Sequence, residues 1–162
     1  MSRLIPAFPL LEEPGEWDVL TLVAATCFLE AEGEPDDGIL GVAWVIRRRA
    51  IDWKAGWHGA ILGKDLQAYG DGRPFEAFSA WNDDYVAQAR ARLAAASEIS
   101  AIPCWRAAAG ALWDLLPDPV GGASFYLNVP LTRKIRKGGT LPAWFAESKV
   151  TCTIGRHTFL TG

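Results

Sequence analysis

The stretch that decides the fold is WDVLTLVAATCFLEAEGE, residues 17–34. Apolar and small side chains recur in it at helical spacing, which predicts a helix with one face turned into a core; they are Leu20, Val23, Ala24 and Cys27. Gly33 can end this helix, and Pro35 cannot continue it but can begin the next one. We therefore expect a helical hairpin, with a second helix over residues 35–50 following the turn at Gly33.

Glu30 falls one turn beyond this apolar stripe, three residues after Cys27. Its carboxyl is therefore expected at the edge of the apolar face, partly shielded from water. Such shielding raises the pKa of a carboxyl, and a carboxyl that stays protonated near neutral pH can act as a general acid. The alternative is an ordinary helix end with solvated acids, because perturbed carboxyls are a minority of the acids at helix ends.

The composition is typical of a globular chain with a sizeable core, because half of the 162 residues are hydrophobic and 22% are charged. This length predicts one domain over residues 1–162, in which the proline-containing residues 1–16 form an extended N-terminal arm. The net charge of -3 argues against a nucleic-acid partner. The eight tryptophans are many for this length, and an exposed indole offers a flat apolar face to a sugar ring.

Neither a signal peptide nor a membrane span is recognisable. The N-terminal apolar run is broken by Pro6 and Pro9, and the longest apolar run, residues 19–29, is too short to cross a bilayer. We expect a chain that is made and folded in the cytoplasm, is monomeric and does not insert stably into a membrane.

Three cysteines, Cys27, Cys104 and Cys152, lie far apart and form no Cys-x-x-Cys pair. Free thiols in a reducing compartment fit this pattern best, and one disulfide with one free thiol is the alternative. The two histidines, His58 and His157, are about a hundred residues apart, a spacing unlike that of zinc sites. We therefore expect no metal and no cofactor.

The rest of the chain predicts further helices and a small sheet. Helical patterns cover residues 51–62, 85–97 and 103–116, and a glycine-rich loop covers 63–74. Strand patterns cover residues 123–129 and 150–159, and a basic loop, 132–142, joins them. The fold class is α+β, mainly helical with a small C-terminal sheet.

Short motifs along the chain resemble those of a known family. They occur in the order EAEGEP (30–35), GILGVAWVIRRRA (38–50), FSAW (78–81), GASFYLN (122–128), PAW (142–144) and IGRHTF (154–159). In this order they resemble the SleB/CwlJ family of cell-wall hydrolases, which includes spore cortex-lytic enzymes and bacteriophage endolysins. Glu32 departs from the family pattern, which often has arginine there, and Phe28-Leu29 replaces a small or polar pair.

The resemblance implies a lysozyme-like fold and cleavage of peptidoglycan between N-acetylmuramic acid and N-acetylglucosamine. Its catalytic glutamate falls on Glu30, and its members act as lytic transglycosylases or muramidases. We expect a lytic transglycosylase of the phage endolysin type, acting on the bacterial wall after release by a holin. The alternatives are a hydrolytic muramidase, with water activated by Glu34 or another acid, and a non-catalytic glycan-binding or virion module.

Four residues of these motifs are candidates for binding substrate. Tyr126 and Asn128 alternate on one face of a predicted strand and can position an N-acetyl group or Glu30, or they are ordinary outward polar residues. Ser79 can hydrogen-bond sugar or the catalytic carboxyl. Trp81 can form the floor of a sugar site, or it is a core tryptophan.

Glu34, His157 and the basic residues of 133–137 complete the candidates. Glu34 can hydrogen-bond near the site or activate water, or it stabilises the start of the second helix. His157 can orient a loop or bind ligand, and its alternative is a structural role. The basic residues can rest on anionic wall polymer, or they form a solvated loop.

Overall fold

The computed structural model describes residues 7–9, 13–54, 56–63, 78–81 and 85–162, and of Ser79 it describes the backbone. The helices are α1 (Val19–Ala31), α2 (Asp36–Asp52), α3 (Gly56–Leu62), α4 (Val86–Ala94), α5 (Glu98–Leu112) and α6 (Val129–Ile135). The strands β1 (Phe125–Leu127), β2 (Val150–Ile154) and β3 (His157–Leu160) form an antiparallel sheet in the order β1-β3-β2. This arrangement confirms the predicted fold class, a mainly helical α+β domain with a small C-terminal sheet.

The helix α1 lies at the centre of the domain. Asp18 caps it, because its Oδ1 accepts a hydrogen bond from the Thr21 amide at 2.9 Å. The prediction of one buried stripe was wrong, since side chains on every side of the helix are buried. The physical reason is that no charged residue occurs between Val19 and Leu29, so helices can pack around α1 on all sides.

The turn after α1 and the start of α2 follow the sequence prediction. Gly33 has a φ of +79°, a conformation that glycine adopts without strain, and Pro35 precedes the first residue of α2. Gly41 then brings α2 against the C-terminal sheet. A Cβ at this position would lie 2.7 Å from Val120 and 2.8 Å from Phe159, so only glycine permits this approach.

Other boundaries differ from the predictions. The helix predicted from residue 103 begins at Glu98, because Ser97 caps it and accepts a hydrogen bond from the Ser100 amide. The strand predicted over 123–129 ends at Leu127. Asn128 then caps α6, which has a proline in its first turn and includes residues 132–135 of the predicted basic loop. Residues 150–159 form two strands, because Gly155 turns the chain between β2 and β3.

The described parts of the N-terminal arm are not wholly extended. Pro14–Glu16 forms a 3-10 turn, and Phe8 is completely buried. The Phe8 ring centroid lies 5.5 Å from that of Phe28 and 5.6 Å from that of Trp105. The arm therefore supplies a residue to the helical core.

Two further sequence predictions can be compared with the structure. The three cysteines are free thiols, as predicted. Within the described residues, no helix combines the length and hydrophobicity that a bilayer span requires. Apart from Gly63, the loop predicted over residues 63–74 lies outside the described residues.

Candidate active site

A groove of about 660 Å³ lies where the end of α1 meets the C-terminal sheet. We call it the main groove. It is lined by acids, arginines, aromatic rings and a few aliphatic side chains: Leu29, Glu30, Glu32, Glu34, Arg49, Phe78, Arg92, Phe125, Tyr126, Leu127, Asn128, Leu131, Trp144, Arg156 and His157. Five of the seven residues predicted from the sequence as site residues are therefore together in one groove.

Glu30 lies in the last turn of α1, half-buried at the wall of this groove. The Tyr126 hydroxyl donates a hydrogen bond of 2.8 Å to Glu30 Oε2. Burial raises the pKa of the Glu30 carboxyl, because water no longer solvates its charged form. Hydrogen bonds from Tyr126 and the Ala80 backbone, and the charges of Arg49 and Arg92, lower this pKa without cancelling the effect of burial. Glu30 thus has the environment of a general acid.

Tyr126 is held in place by aromatic neighbours. Its ring centroid lies 4.9 Å from that of His157, 5.9 Å from that of Phe159 and 6.3 Å from that of Phe78. Burial and the adjacent Glu30 carboxyl raise the pKa of Tyr126 well above its ordinary value. The hydroxyl therefore keeps its proton and remains a donor to Glu30.

The variant Tyr126→Phe tests this hydrogen bond. The Tyr126 hydroxyl lowers the pKa of Glu30, so its removal is expected to raise that pKa. A general acid is active when protonated, so the alkaline limb of the pH–rate profile for wall lysis should move to higher pH. Activity at pH 7 should nevertheless fall about tenfold. The reason is that the Glu30 carboxylate formed by proton donation loses a stabilising hydrogen bond, and a hydrogen bond to a charged group is worth about this much. An alkaline limb that stays in place, or moves to lower pH, would contradict the assignment.

Arg49 lines the groove but is not among the site residues predicted from the sequence. Its side chain is buried, and its Nε donates a hydrogen bond of 2.7 Å to the Ser124 carbonyl. The guanidinium carbon lies 5.0 Å from the ring centroids of Trp53 and Phe78, and 5.3 Å from that of Phe125. Burial lowers the pKa of Arg49 to about 10, while the charge of the Glu30 carboxylate opposes this change. Arg49 therefore remains charged at neutral pH.

One signal in the sequence could have identified Arg49. The run Arg47-Arg48-Arg49 ends the helical pattern of residues 35–50, where the helix dipole favours positive charge whichever way the side chains face. However, Arg49 lies three residues after Ile46 and seven after Val42, so it continues the buried stripe of α2. A charged residue in phase with a buried stripe is a candidate for a functional position.

Asn128 and His157 both border the groove. Asn128 Oδ1 accepts a hydrogen bond from the Leu131 amide at 3.0 Å, so Asn128 fixes the junction of β1 and α6. His157 is buried, and burial lowers the pKa of its imidazole. Its Nδ1 has no hydrogen-bond partner among the described residues. His157 thus supports the Tyr126 ring as a neutral side chain.

Glu34 is engaged in an ion pair with Arg156. Its two carboxylate oxygens accept hydrogen bonds from the Arg156 backbone amide, at 2.8 Å, and from the Arg156 side chain. The Glu34 side chain is only 2% exposed. Burial would raise its pKa, but the hydrogen bonds from Arg156 and the charge of Arg156 hold it below its ordinary value. Glu34 therefore ties the turn between β2 and β3 to the start of α2.

Gly155 makes this tie possible, and Gly155→Ala is expected to destabilise the protein by about 3 kcal/mol. Gly155 has a φ of +57°, and an added Cβ would overlap the Glu34 carboxylate and lie 2.9 Å from Pro35 Cδ. Thermal or urea unfolding measures the effect. Gly56→Ala is the matched control, because Gly56 has a similar φ of +64° with no described atom within 4 Å of the added Cβ. Equal losses for the two variants would contradict the role of Gly155.

Trp81 does not line the groove. Trp81 is 4% exposed, and its Nε1 donates a hydrogen bond of 2.9 Å to Thr26 Oγ1 on α1. Its ring meets that of Trp17 edge to face at 5.7 Å. Trp81 thus has the surroundings of a core tryptophan, the alternative considered from the sequence. The side chain of Ser79 lies outside the described part of the chain.

Comparison with known proteins adds one finding. A family model described as Cell Wall Hydrolase matches residues 33–160 of the chain. The matched range includes Tyr126 and Arg49, and Glu30 lies three residues before it. No significant match was found among curated proteins or among solved structures. Among the described residues, no three His, Cys, Asp or Glu side chains are close enough to hold a metal ion.

Proposed function

The chain belongs to the cell wall hydrolase family, a family of peptidoglycan-cleaving enzymes, and we propose that it is a lytic transglycosylase. The bond cleaved is the one between N-acetylmuramic acid and N-acetylglucosamine in the glycan strand. The observation that carries this proposal is the half-buried Glu30, whose Oε2 accepts the Tyr126 hydrogen bond at 2.8 Å in a groove.

The first step is proton transfer from Glu30 to the leaving glycosidic oxygen. As that C–O bond breaks, the oxygen of the substrate's own N-acetyl group bonds to the anomeric carbon. This leaves Glu30 as a carboxylate, which the Tyr126 hydrogen bond and the positive charges of Arg49 and Arg92 stabilise.

The second step regenerates Glu30. Its carboxylate takes the proton of the C6 hydroxyl of muramic acid, and that oxygen displaces the N-acetyl oxygen from the anomeric carbon. The product is a 1,6-anhydro sugar, and no water is consumed. One protein carboxyl suffices, whereas most glycosidases use two.

The state of the other carboxylates in the groove favours this mechanism over hydrolysis. Glu34 is ion-paired with Arg156, and Glu32 Oε2 lies 3.4 Å from Arg92 Nη2. The hydrogen bonds and the charge from Arg156 hold the pKa of Glu34 below its ordinary value, so Glu34 is a weak base. Hydrolytic muramidase activity remains the second candidate, since the Glu32 side chain is 44% exposed and can reach water in the groove.

Mass spectrometry of the muropeptides released from purified walls tests the proposal. Products ending in 1,6-anhydro-N-acetylmuramic acid are expected, without incorporation of ¹⁸O from labelled water. Reducing ends carrying ¹⁸O would establish the muramidase instead. Absence of any released product would support the non-catalytic glycan-binding or virion module. Four expectations from the sequence stay predictions: an endolysin role, release by a holin, cytoplasmic synthesis and a monomeric state.

A further inference from the structure

A second cavity of about 300 Å³ adjoins the main groove at Glu30. The two cavities share Leu29, Glu30 and Arg92, and the second is completed by residues of α4 and the turn before it, among them Tyr85 and Gln88. The cavity is not required by any role assigned above, and none of the sequence motifs includes Tyr85 or Gln88. It lies directly beside the proposed acid.

We propose that this second cavity binds a saccharide unit of the glycan strand, on the opposite side of the cleaved bond from the sugars in the main groove. The proposal rests on the proposed function, because it takes Glu30 as the acid that protonates the bond. A general acid must lie within hydrogen-bond reach of the bridging oxygen, so the two sugars that this oxygen joins extend to either side of it. Glu30 borders both cavities. The sugar on one side of the bond therefore lies in the main groove, and the sugar on the other side lies in the second cavity.

Arg92 marks the ridge between the two cavities. Its Nη1 donates a hydrogen bond of 3.0 Å to the Leu29 carbonyl, and its Nη2 lies 3.4 Å from Glu32 Oε2. These contacts hold the guanidinium beside Glu30 at the border of both cavities. The strand therefore crosses from one cavity to the other at the place where the bond is protonated.

Each cavity has an exposed aromatic ring. Trp144 in the main groove is 47% exposed, and Tyr85 in the second cavity is 52% exposed. Aromatic side chains offer a flat apolar face together with a polar tip, which suits the apolar face and the hydroxyls of a sugar ring. Gln88 adds an amide that can both donate and accept hydrogen bonds in the same cavity. Tyr85 is thus the platform for the sugar, and Gln88 is its polar partner.

Binding to the inactive variant Glu30→Gln tests the second cavity. The probes are peptide-free glycan fragments of two and eight sugars, measured by titration calorimetry. In this background, Tyr85→Ala is expected to weaken binding of the octasaccharide about tenfold, while Tyr85→Phe, which keeps the ring, stays close to the parent. Ile99→Ala is the surface control, because Ile99 is 84% exposed on α5 and borders neither cavity.

The outcomes separate this proposal from the proposed function. If walls yield anhydro products but Tyr85→Ala binds the octasaccharide like its parent, the second cavity is not a sugar site and only this inference fails. If the Glu30→Gln protein binds neither fragment and the wild type releases no glycan product, the proposed function and this inference both fail. Thermal melting of each variant verifies that it is folded.

Discussion

The variant Glu30→Gln is expected to lower wall lysis by about 10³-fold or more, because glutamine cannot donate a proton to the leaving oxygen. Glutamine has nearly the same shape as glutamate, and its Oε1 can still accept the hydrogen bond from Tyr126. The fold and the groove should therefore persist. Clearing of purified cell walls measures the activity, and circular dichroism verifies the fold.

The matched control is Glu32→Gln. It removes the same charge two residues away, from a side chain that is 44% exposed and borders the same groove. If Glu30 is the acid, this control should retain most of the activity of a transglycosylase. Near wild-type lysis by Glu30→Gln, or equal loss in both variants, would mean that the acid has been assigned to the wrong residue.

The variant Glu30→Gln is also expected to change the stability of the protein, by an amount that depends on pH. The pKa of Glu30 is raised on folding, so the folded protein holds this proton more tightly than the unfolded chain does. Its contribution to stability is therefore present below the ordinary pKa of 4.5 and is lost as pH rises through the folded pKa. Glu30→Gln should raise the melting temperature more at pH 7 than at pH 4. A larger gain at pH 4 would contradict the raised pKa.

The variant Arg49→Met is expected to lower stability and to change the pH profile together. It removes the hydrogen bond to the Ser124 carbonyl and the charge that lies among three aromatic rings. The variant loses a hydrogen bond from a charged group and leaves the Ser124 carbonyl without this donor. Together these losses should lower the free energy of unfolding by about 2–3 kcal/mol. Urea unfolding measures this loss.

The charge of Arg49 also acts on Glu30, whose pKa it lowers. The charges near that carboxyl come from α2 (Arg49) and α4 (Arg92), and the ionisable neighbours Tyr126 and Cys27 are protonated. Loss of Arg49 should therefore move the alkaline limb of the pH–rate profile to higher pH. It should also slow the reaction, since the carboxylate left by proton donation is less stabilised.

Two controls separate this electrostatic effect from structural damage. Arg49→Lys keeps the positive charge, so its alkaline limb should stay near that of the wild type even where its stability is reduced. Arg48→Met removes a charge from the same helix, at a residue paired with Asp118 rather than close to Glu30. If Arg49→Met and Arg49→Lys lose activity equally with an unmoved alkaline limb, the role of Arg49 is structural only.

The sequence predicted the parts of the fold and site that depend on local patterns. The hairpin of α1 and α2, the turn at Gly33 and the position of Glu30 follow from helical periodicity and from glycine and proline chemistry. Predictions failed where local signals compete. Residues 132–135 of α6 were predicted as part of a basic loop, because their charges obscured the capping signal of Asn128 and the proline in the first turn of the helix.

The roles of two predicted site residues also required the structure. Glu34 was proposed to hydrogen-bond near the site, to activate water or to stabilise the start of the second helix, and its partner in the structure is Arg156, which lies 122 residues further along the chain. Trp81 was proposed as a sugar platform or a core residue, and its contacts with Thr26 and Trp17 determine its surroundings. Neither partner follows from the local pattern, because nearness in space between distant residues depends on how the elements pack.

The sequence by itself determined that a carboxyl ends an uncharged helix beside a glycine turn, since helix formation and termination depend on neighbouring residues. Only the tertiary structure decided what surrounds that carboxyl. It brings the Tyr126 hydroxyl, 96 residues away, to Glu30, buries Arg49 beneath the same groove and opens a second cavity past Arg92. The physical reason is that the pKa of a group depends on excluded water and on the dipoles and charges around it, and distant segments supply these.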